Sequence, residues 1–423
     1  MIVHETDWLG FNSIFYNEKT CKVSSRMLDV IDFNDVNFNA CGLFNYINYG
    51  FSVYGLTPIE GVKFTLPNTV LRIQNGSIII DKKPDPVLNK LDIPERSDDV
   101  IEKLSTMVNE WENDNNKTIV IPTSSGYDSR LLNSLIRNKG RIHSFSYGIS
   151  PNQQGSCECL YAKKLSEILN TKWDMIELGE FHKHIYEWFM IFGISTHLHG
   201  MYHLEFYKKI KDRLGLNIKI LSGIIGDIWS GNIEIPEIKS PNDVFLTSYN
   251  HGVKADSRFL KFRPNIDLHE QYYEENKENL KNCKFRIIES MRRKIILLRY
   301  LLLIPSNLGL ETWSPFIDMD ISISMLNIPQ DERKNRIWQR NYFVKNKINL
   351  NDMNINCDNS NCLDLYAEKK LGLPKLNQDI LSSIFDKKYL DHIESTMNTF
   401  EGYSAKVTLL PIQMLCELTQ RQI

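Results

Sequence analysis

Charge of one sign is what this chain most plainly lacks: 50 basic against 52 acidic residues leave a net charge of −2 over 423 residues. No global field therefore recruits nucleic acid or an anionic membrane, and attraction of a charged ligand has to be local. Long hydrophobic runs are missing as well. The longest, Ile295 to Pro305, is too short to cross a bilayer and carries Arg299 inside it, which predicts a buried helix and no membrane partner. The opening Met1-Ile-Val-His-Glu-Thr-Asp7 has no basic stretch followed by an apolar one, so the expectation is a cytoplasmic protein. Paired CxxC motifs are absent too. Cys157-Glu-Cys159 and Cys357-x4-Cys362 have no second half-site at zinc spacing, and reduced thiols are the expectation for all eight cysteines. His197, His199 and His203 form an HxHxxxH spacing without matching carboxylates, which reads as core histidines before it reads as a metal site.

What is present is enough apolar material for real cores, 42% of the residues, in a length that predicts two or three domains. Up to about residue 85, short β-rich runs (Ser13 to Tyr16, Val70 to Ile73, Ser77 to Ile80) alternate with turn signals such as Asn75-Gly76, the pattern of antiparallel hairpins. Lys82-Lys-Pro-Asp-Pro86 and Asp92-Ile-Pro-Glu-Arg-Ser97 are polar and proline-containing, which predicts a linker before a helix over Asp98 to Trp111. From Lys117 the pattern is strand, helix, strand (Ile142 to Tyr147), helix (Cys157 to Leu169), strand (Trp173 to Leu178), two helices and a strand at Ile218 to Leu221. Such alternation predicts an α/β fold with a doubly wound parallel sheet, followed by a mostly helical C-terminal part.

Two loops in that sheet carry the chemistry. Thr123-Ser-Ser-Gly-Tyr-Asp128 links a β-branched strand to a helix, and its small residues would let backbone N–H groups and hydroxyls approach phosphate oxygens at a helix N-terminus. Leu221-Ser-Gly-Ile-Ile-Gly-Asp227 follows a second strand. In a doubly wound sheet both loops face the crevice beyond the carboxyl ends of the strands. The plainer readings are a helix N-cap for Asp128 and a turn residue for Asp227.

Together with a third segment, these loops resemble the asparagine synthetase family of PP-loop ATP pyrophosphatases. Ser124-Ser-Gly-Tyr-Asp-Ser129 resembles its SGGxDS loop, Leu221-Ser-Gly-Ile-Ile-Gly-Asp-Ile-Trp-Ser-Gly231 its LSGxGxDExFxG loop, and Gly309-Leu-Glu311-Thr-Trp-Ser-Pro-Phe-Ile-Asp318 its GLExRxPFLD segment. Asp7 to Phe11 and Tyr54 to Pro67 are similar to later strands of that family's glutaminase domain. The resemblance implies a β-rich glutaminase-like remnant over residues 1–95 and an ATP-dependent synthetase over 96–423. It implies ATP and Mg2+ as cofactors, with Asp128 and Asp227 as metal ligands, and phosphate contacts from Ser124, Ser125, Gly126, Ser129, Ser222 and Gly223. Glu311 is then the candidate general base, and Arg336 a cation for the leaving pyrophosphate; Arg336 and Lys334 read from composition alone are solvated surface charges.

Departures shape the expected activity. Position 2 is Ile where the family has its nucleophilic cysteine, so nitrogen is expected as ammonia or an amine, or from a separate glutaminase. Ser125 stands for a glycine, Ile224 and Ile228 for acidic residues, and Trp313 for an arginine. The reading is an ATP-dependent ligase that adenylates a small-molecule or peptide carboxylate and forms an amide. A sugar acid in polysaccharide biosynthesis is suggested by the flat Trp313 surface. A peptide-macrocycle or β-lactam-type cyclase and a non-catalytic nucleotide-binding subunit are the alternatives.

Overall fold

The computed structural model describes residues 2–247, 252–264 and 267–420. Eleven strands lie among them: β1 (Ile2–Glu5), β2 (Phe15–Asn17), β3 (Val23–Ser24), β4 (Val62–Phe64), β5 (Thr69–Gln74), β6 (Ser77–Lys82), β7 (Thr118–Pro122), β8 (Ile142–Ser146), β9 (Lys172–Met175), β10 (Ile218–Leu221) and β11 (Glu311–Trp313). The first six form two small antiparallel sheets, β1-β5-β6 and β3-β2-β4. In the β5–β6 hairpin Gln74 faces Ser77, and the turn residues Asn75 and Gly76 have φ of 50° and 72°. Positive φ at both positions is what an Asn-Gly turn supplies at little steric cost.

The remaining five strands form one parallel sheet in the order β11-β10-β7-β8-β9. Strand order runs outward from β7 to β9 on one side and then restarts with β10 on the other. The topological switch point therefore lies between β7 and β10. Alternation along each strand divides the apolar core into two. From β7, Ile119 and Ile121 join a cluster with Val100, Leu104 and Leu131, while Val120 joins the other with Phe145, Ile220 and Leu204. Successive side chains leave a strand on opposite faces, so each face receives its own covering of helices.

Two expectations are corrected here. Cys157 and Cys357 are joined by a disulfide, so the thiols are not all reduced; the bond ties the start of the helix Cys157–Leu169 to a segment 200 residues further on. Pro84 to Arg96 is also no free linker, because Asp85 is ion-paired with the buried Arg292 and the side chains of Val87 and Leu91 are fully buried. Within the first 95 residues Phe15, Met27, Leu28, Val30, Ile59 and Phe64 form much of one buried cluster, and other side chains there pack with later segments. Leu43, Tyr46 and Ile47 share a cluster with Tyr403 and Leu409, and the Tyr46 hydroxyl donates to the Thr408 carbonyl at 3.0 Å. Among the described residues no helix is long and apolar enough to cross a membrane.

Candidate functional site

Both loops leave the carboxyl ends of neighbouring strands, β7 and β10, on either side of the switch point. In the first, the buried Thr123 continues the sheet through its N–H, which donates to the Phe145 carbonyl at 2.8 Å. The Ser129 hydroxyl accepts from the Ser124 N–H at 3.2 Å, and the Ser124 hydroxyl accepts from the Gly126 N–H at 3.1 Å. These hydroxyl-to-backbone bonds fold the loop tightly, and the helix Tyr127–Leu135 starts directly behind it without a side-chain cap. In the second loop, Ser222 is tied to β11 by its N–H to the Trp313 carbonyl at 2.9 Å. Ile225 has φ 59°, a left-handed conformation that costs a β-branched residue about 1–3 kcal/mol. That turn throws Gly226 and Asp227 back toward the first loop.

Contact between the loops is close enough to require glycine. A Cβ on Gly226 would lie 2.7 Å from the Asp128 carboxyl carbon and 2.8 Å from the Phe316 ring; one on Gly223 would lie 3.3 Å from Asp128 Cβ and from the Ser129 nitrogen. The Pro315-Phe-Ile segment is the third wall: the Phe316 carbonyl accepts from the Trp229 indole at 2.9 Å and holds the helix Gly226–Ser230 in place. All three segments picked out in the sequence thus meet around Asp128.

Electrostatically the centre of the site is the Asp128–Asp227 pair. Desolvation, and after it the Asp227 carboxylate, push the Asp128 carboxyl well above its usual range, against the pull of the Arg336 guanidinium and of hydrogen bonds from Gln339 and the Asp227 N–H. Gln339 Nε2 donates to Asp128 Oδ1 at 3.4 Å. Arg336 and Gln339 at Asp128 and Lys294 toward Asp227 offset part of the pair's charge, and the two carboxylates are oxygen donors of the kind a hard divalent cation takes.

Arg336 is brought to this site. Asn335 and Arg336 both have left-handed backbones, φ 54° and 57°, and this local reversal carries the guanidinium over the Tyr127 ring at 4.2 Å. Lys334, by contrast, is exposed. Glu311 is not brought to it. Register aligns Glu311 with Lys219 and Lys219 with Ile119, at the amino end of the sheet, so about 10 Å of strand separates it from the loops. There it pairs with the Lys117 ammonium at 2.9 Å, and the expectation of a general base is corrected to a sheet-end ion pair. One face of Trp313 is stacked on Trp111 with ring centroids 5.3 Å apart, and the residue stays partly exposed. Ile224 and Ile228, at the family's acidic positions, are buried in the apolar core.

Three residues at the site were not anticipated. Arg130 is buried between Tyr127 and Phe343 and donates to the Ser125 carbonyl at 3.1 Å, which braces the first loop from beneath. Gln339 was hidden in a run of charged residues. Lys294 is fully buried in the helix Cys283–Leu298, where burial pulls its ammonium down to about 7 against the attraction of Asp227. A charged residue on an amphipathic helix reads as solvent-facing, and only the packing reveals otherwise.

Fold and site define a doubly wound α/β protein with a paired-aspartate crevice at its switch point. No protein-family model matches the chain, and no curated protein does. Among solved structures it is similar to the NH3-dependent NAD synthetase from Campylobacter jejuni in complex with the nitrate ion. That match is at 15% identity, covers 48% of this chain and 96% of the other, and has a TM-score of 0.27. A likeness at that score carries no argument, and the fold assignment rests on the five-stranded sheet itself.

Proposed function

We propose that this chain is an ATP-dependent amide-forming ligase of the PP-loop type, which activates a carboxylate by adenylation and passes the acyl group to ammonia or an amine. The observation that carries the reading is the interlock of two glycine-containing loops at the switch point, which sets Asp128 against Asp227. A carboxylate does not acylate an amine in neutral water, so the enzyme has to make AMP the leaving group, with pyrophosphate released in the first step. In that step the backbone N–H groups and hydroxyls of Ser124, Ser125, Gly126 and Ser129, with Ser222 and Gly223 opposite, would bind and orient the phosphates at the helix N-terminus. Asp128 and Asp227 would hold Mg2+, which when bound neutralises charge developing on the leaving pyrophosphate. Arg336, poised over Tyr127, would add a second positive charge.

The acid is a small-molecule or peptide carboxylate, and a sugar acid is one candidate through the partly exposed Trp313. The nitrogen comes from ammonia or an amine, with a separate glutaminase as one source.

The test is calorimetric titration of α,β-methylene-ATP with and without Mg2+. Saturable, Mg2+-dependent binding to the wild-type chain is expected, falling about 100-fold or more in Asp128→Ala and Asp227→Ala. Absence of binding in the wild type, or unchanged binding in both variants, would sink the ligase reading.

A further inference from the structure

One cavity of the molecule shares no residue with the two loops. It is a cavity of about 480 Å³, walled by His199, Tyr202, Tyr300, Asp364, Phe400 and Tyr403 among others. Its position puts it on the reactive side of the sheet. Tyr147, one residue beyond the carboxyl end of β8, has its ring centroid 5.6 Å from that of Tyr202. On the helix Cys283–Leu298, Leu297 lines the cavity, three residues after the buried Lys294.

The chemistry of the lining is selective. Among the described residues it contains one carboxylate, that of Asp364, and no lysine or arginine. Asp364 is 13% exposed, and its Oδ2 faces His199 Nδ1 at 3.3 Å. Its Oδ1 is buried and takes no well-directed hydrogen bond among the described residues, although the Tyr403 hydroxyl lies against the same carboxylate. A buried carboxylate at a cavity wall is stabilised further when a charged ligand donates to it. The other walls are mainly aromatic, and aromatic faces attract cations. Tyr403 is held from behind by its hydroxyl to His182 Nε2 at 3.1 Å, and the Tyr300 ring by Trp188 at 5.5 Å between centroids, so the box is rigid.

We infer that this cavity binds an organic primary ammonium group, with Asp364 as counter-ion and the tyrosines as its aromatic wall. Resting on the ligase reading, the bound group is the acceptor amine of the second step, and the nitrogen donor is an organic amine in preference to free ammonia. The volume is ample for the side chain that carries such an amine.

The full chain is titrated with benzylammonium and, separately, with the neutral isostere benzyl alcohol, and binding is read by saturation-transfer NMR. Expected is saturable binding of the ammonium, at least about tenfold tighter than the alcohol and weakened about tenfold or more in Asp364→Asn. Equal binding of the two probes, retention of the ammonium by a folded Asp364→Asn, or no saturable binding to the wild type would overturn the assignment. The two-probe comparison needs no variant and stands if Asp364→Asn does not fold. Titration of Mg2+ with α,β-methylene-ATP into the same samples separates the two readings. Ammonium binding without nucleotide binding leaves the cation site and removes its role as acceptor, and the converse leaves the ligase and removes the site.

Discussion

At the scale of single residues the site depends on a hydrogen atom where any other residue has a carbon. Gly226 is not in a left-handed conformation; it is required because Asp128 and Phe316 occupy the space a methyl would fill. Gly226→Ala should therefore leave a folded protein, destabilised by about 1–3 kcal/mol through overpacking, in which the Asp128 carboxylate is displaced and Mg2+-nucleotide affinity falls sharply. Gly76→Ala supplies the contrast. That glycine has φ of 72° with nothing within 4 Å of an added Cβ, so the change should cost about 1 kcal/mol of backbone strain and leave nucleotide affinity alone. Urea unfolding and calorimetry on the two variants check this, and equal affinities in both would mean that the interlock does not shape the site. Legibility at this scale was uneven. That Asp128 and Asp227 stand on loops behind neighbouring strands was readable from small residues next to an acid after each β-branched run. Arg336 and Glu311 were assigned from the family resemblance, and a resemblance of motifs does not reveal that two left-handed residues turn one inward or that a parallel strand starts with the other.

At the scale of elements the polar segment before the helix Ser97–Asn113 is the instructive case. Its prolines and charges read as a linker, yet Asp85 accepts from Arg292 Nη2 at 2.9 Å, and Arg292 is only 7% exposed. Burial works to raise the Asp85 carboxyl, but hydrogen bonding and charge from Arg292 outweigh it and hold the group below its usual range. A folded-state pKa below the unfolded one means stability that is present above about pH 4 and lost as pH falls through the folded value. Asp85→Asn should cost about 1–3 kcal/mol at neutral pH, because Arg292 loses one of its two carboxylates and keeps Glu289 Oε1 at 2.9 Å. The gap between wild type and variant should narrow in acid, where the wild-type carboxyl also becomes neutral. Urea midpoints at neutral and acid pH measure both, and a gap that stays constant with pH would assign the loss to packing instead. Other elements were legible for ordinary reasons: the β-branched runs of β7 and β10 and the Asn-Gly hairpin follow local propensity. The strand β11 was not, because three residues at a sheet edge carry too little periodicity to be separated from a loop.

For the molecule as a whole, the question is whether residues 1–95 and 96–423 are separable, as the change from β-rich to alternating pattern implies. Contacts across residue 95 are of a kind that a removable module does not make. Trp8 packs against Trp229 with ring centroids 5.9 Å apart, and its indole donates to the Ile317 carbonyl at 3.1 Å, directly beside the Phe316 wall of the aspartate site. The Arg292 guanidinium donates to the Trp8 carbonyl at 2.9 Å, and that of the buried Arg299 to the Ser13 carbonyl at 2.6 Å. Deleting residues 1–95 would strip both buried cations of these acceptors, take Asp85 from Arg292, and expose the cluster around Tyr46 and Thr408. Arg299 would lose its acceptor and Arg292 would keep only Glu289; at about 3–5 kcal/mol for a stripped buried charge, with apolar surface exposed as well, the loss is comparable to the about 5–15 kcal/mol that holds a typical domain folded. The full chain should therefore unfold in one cooperative transition, and residues 96–423 expressed alone should lack one. Calorimetric unfolding of both chains decides it: a truncated chain that melts cooperatively and still binds Mg2+ with α,β-methylene-ATP would show that the N-terminal segment is an accessory to the site rather than part of its foundation.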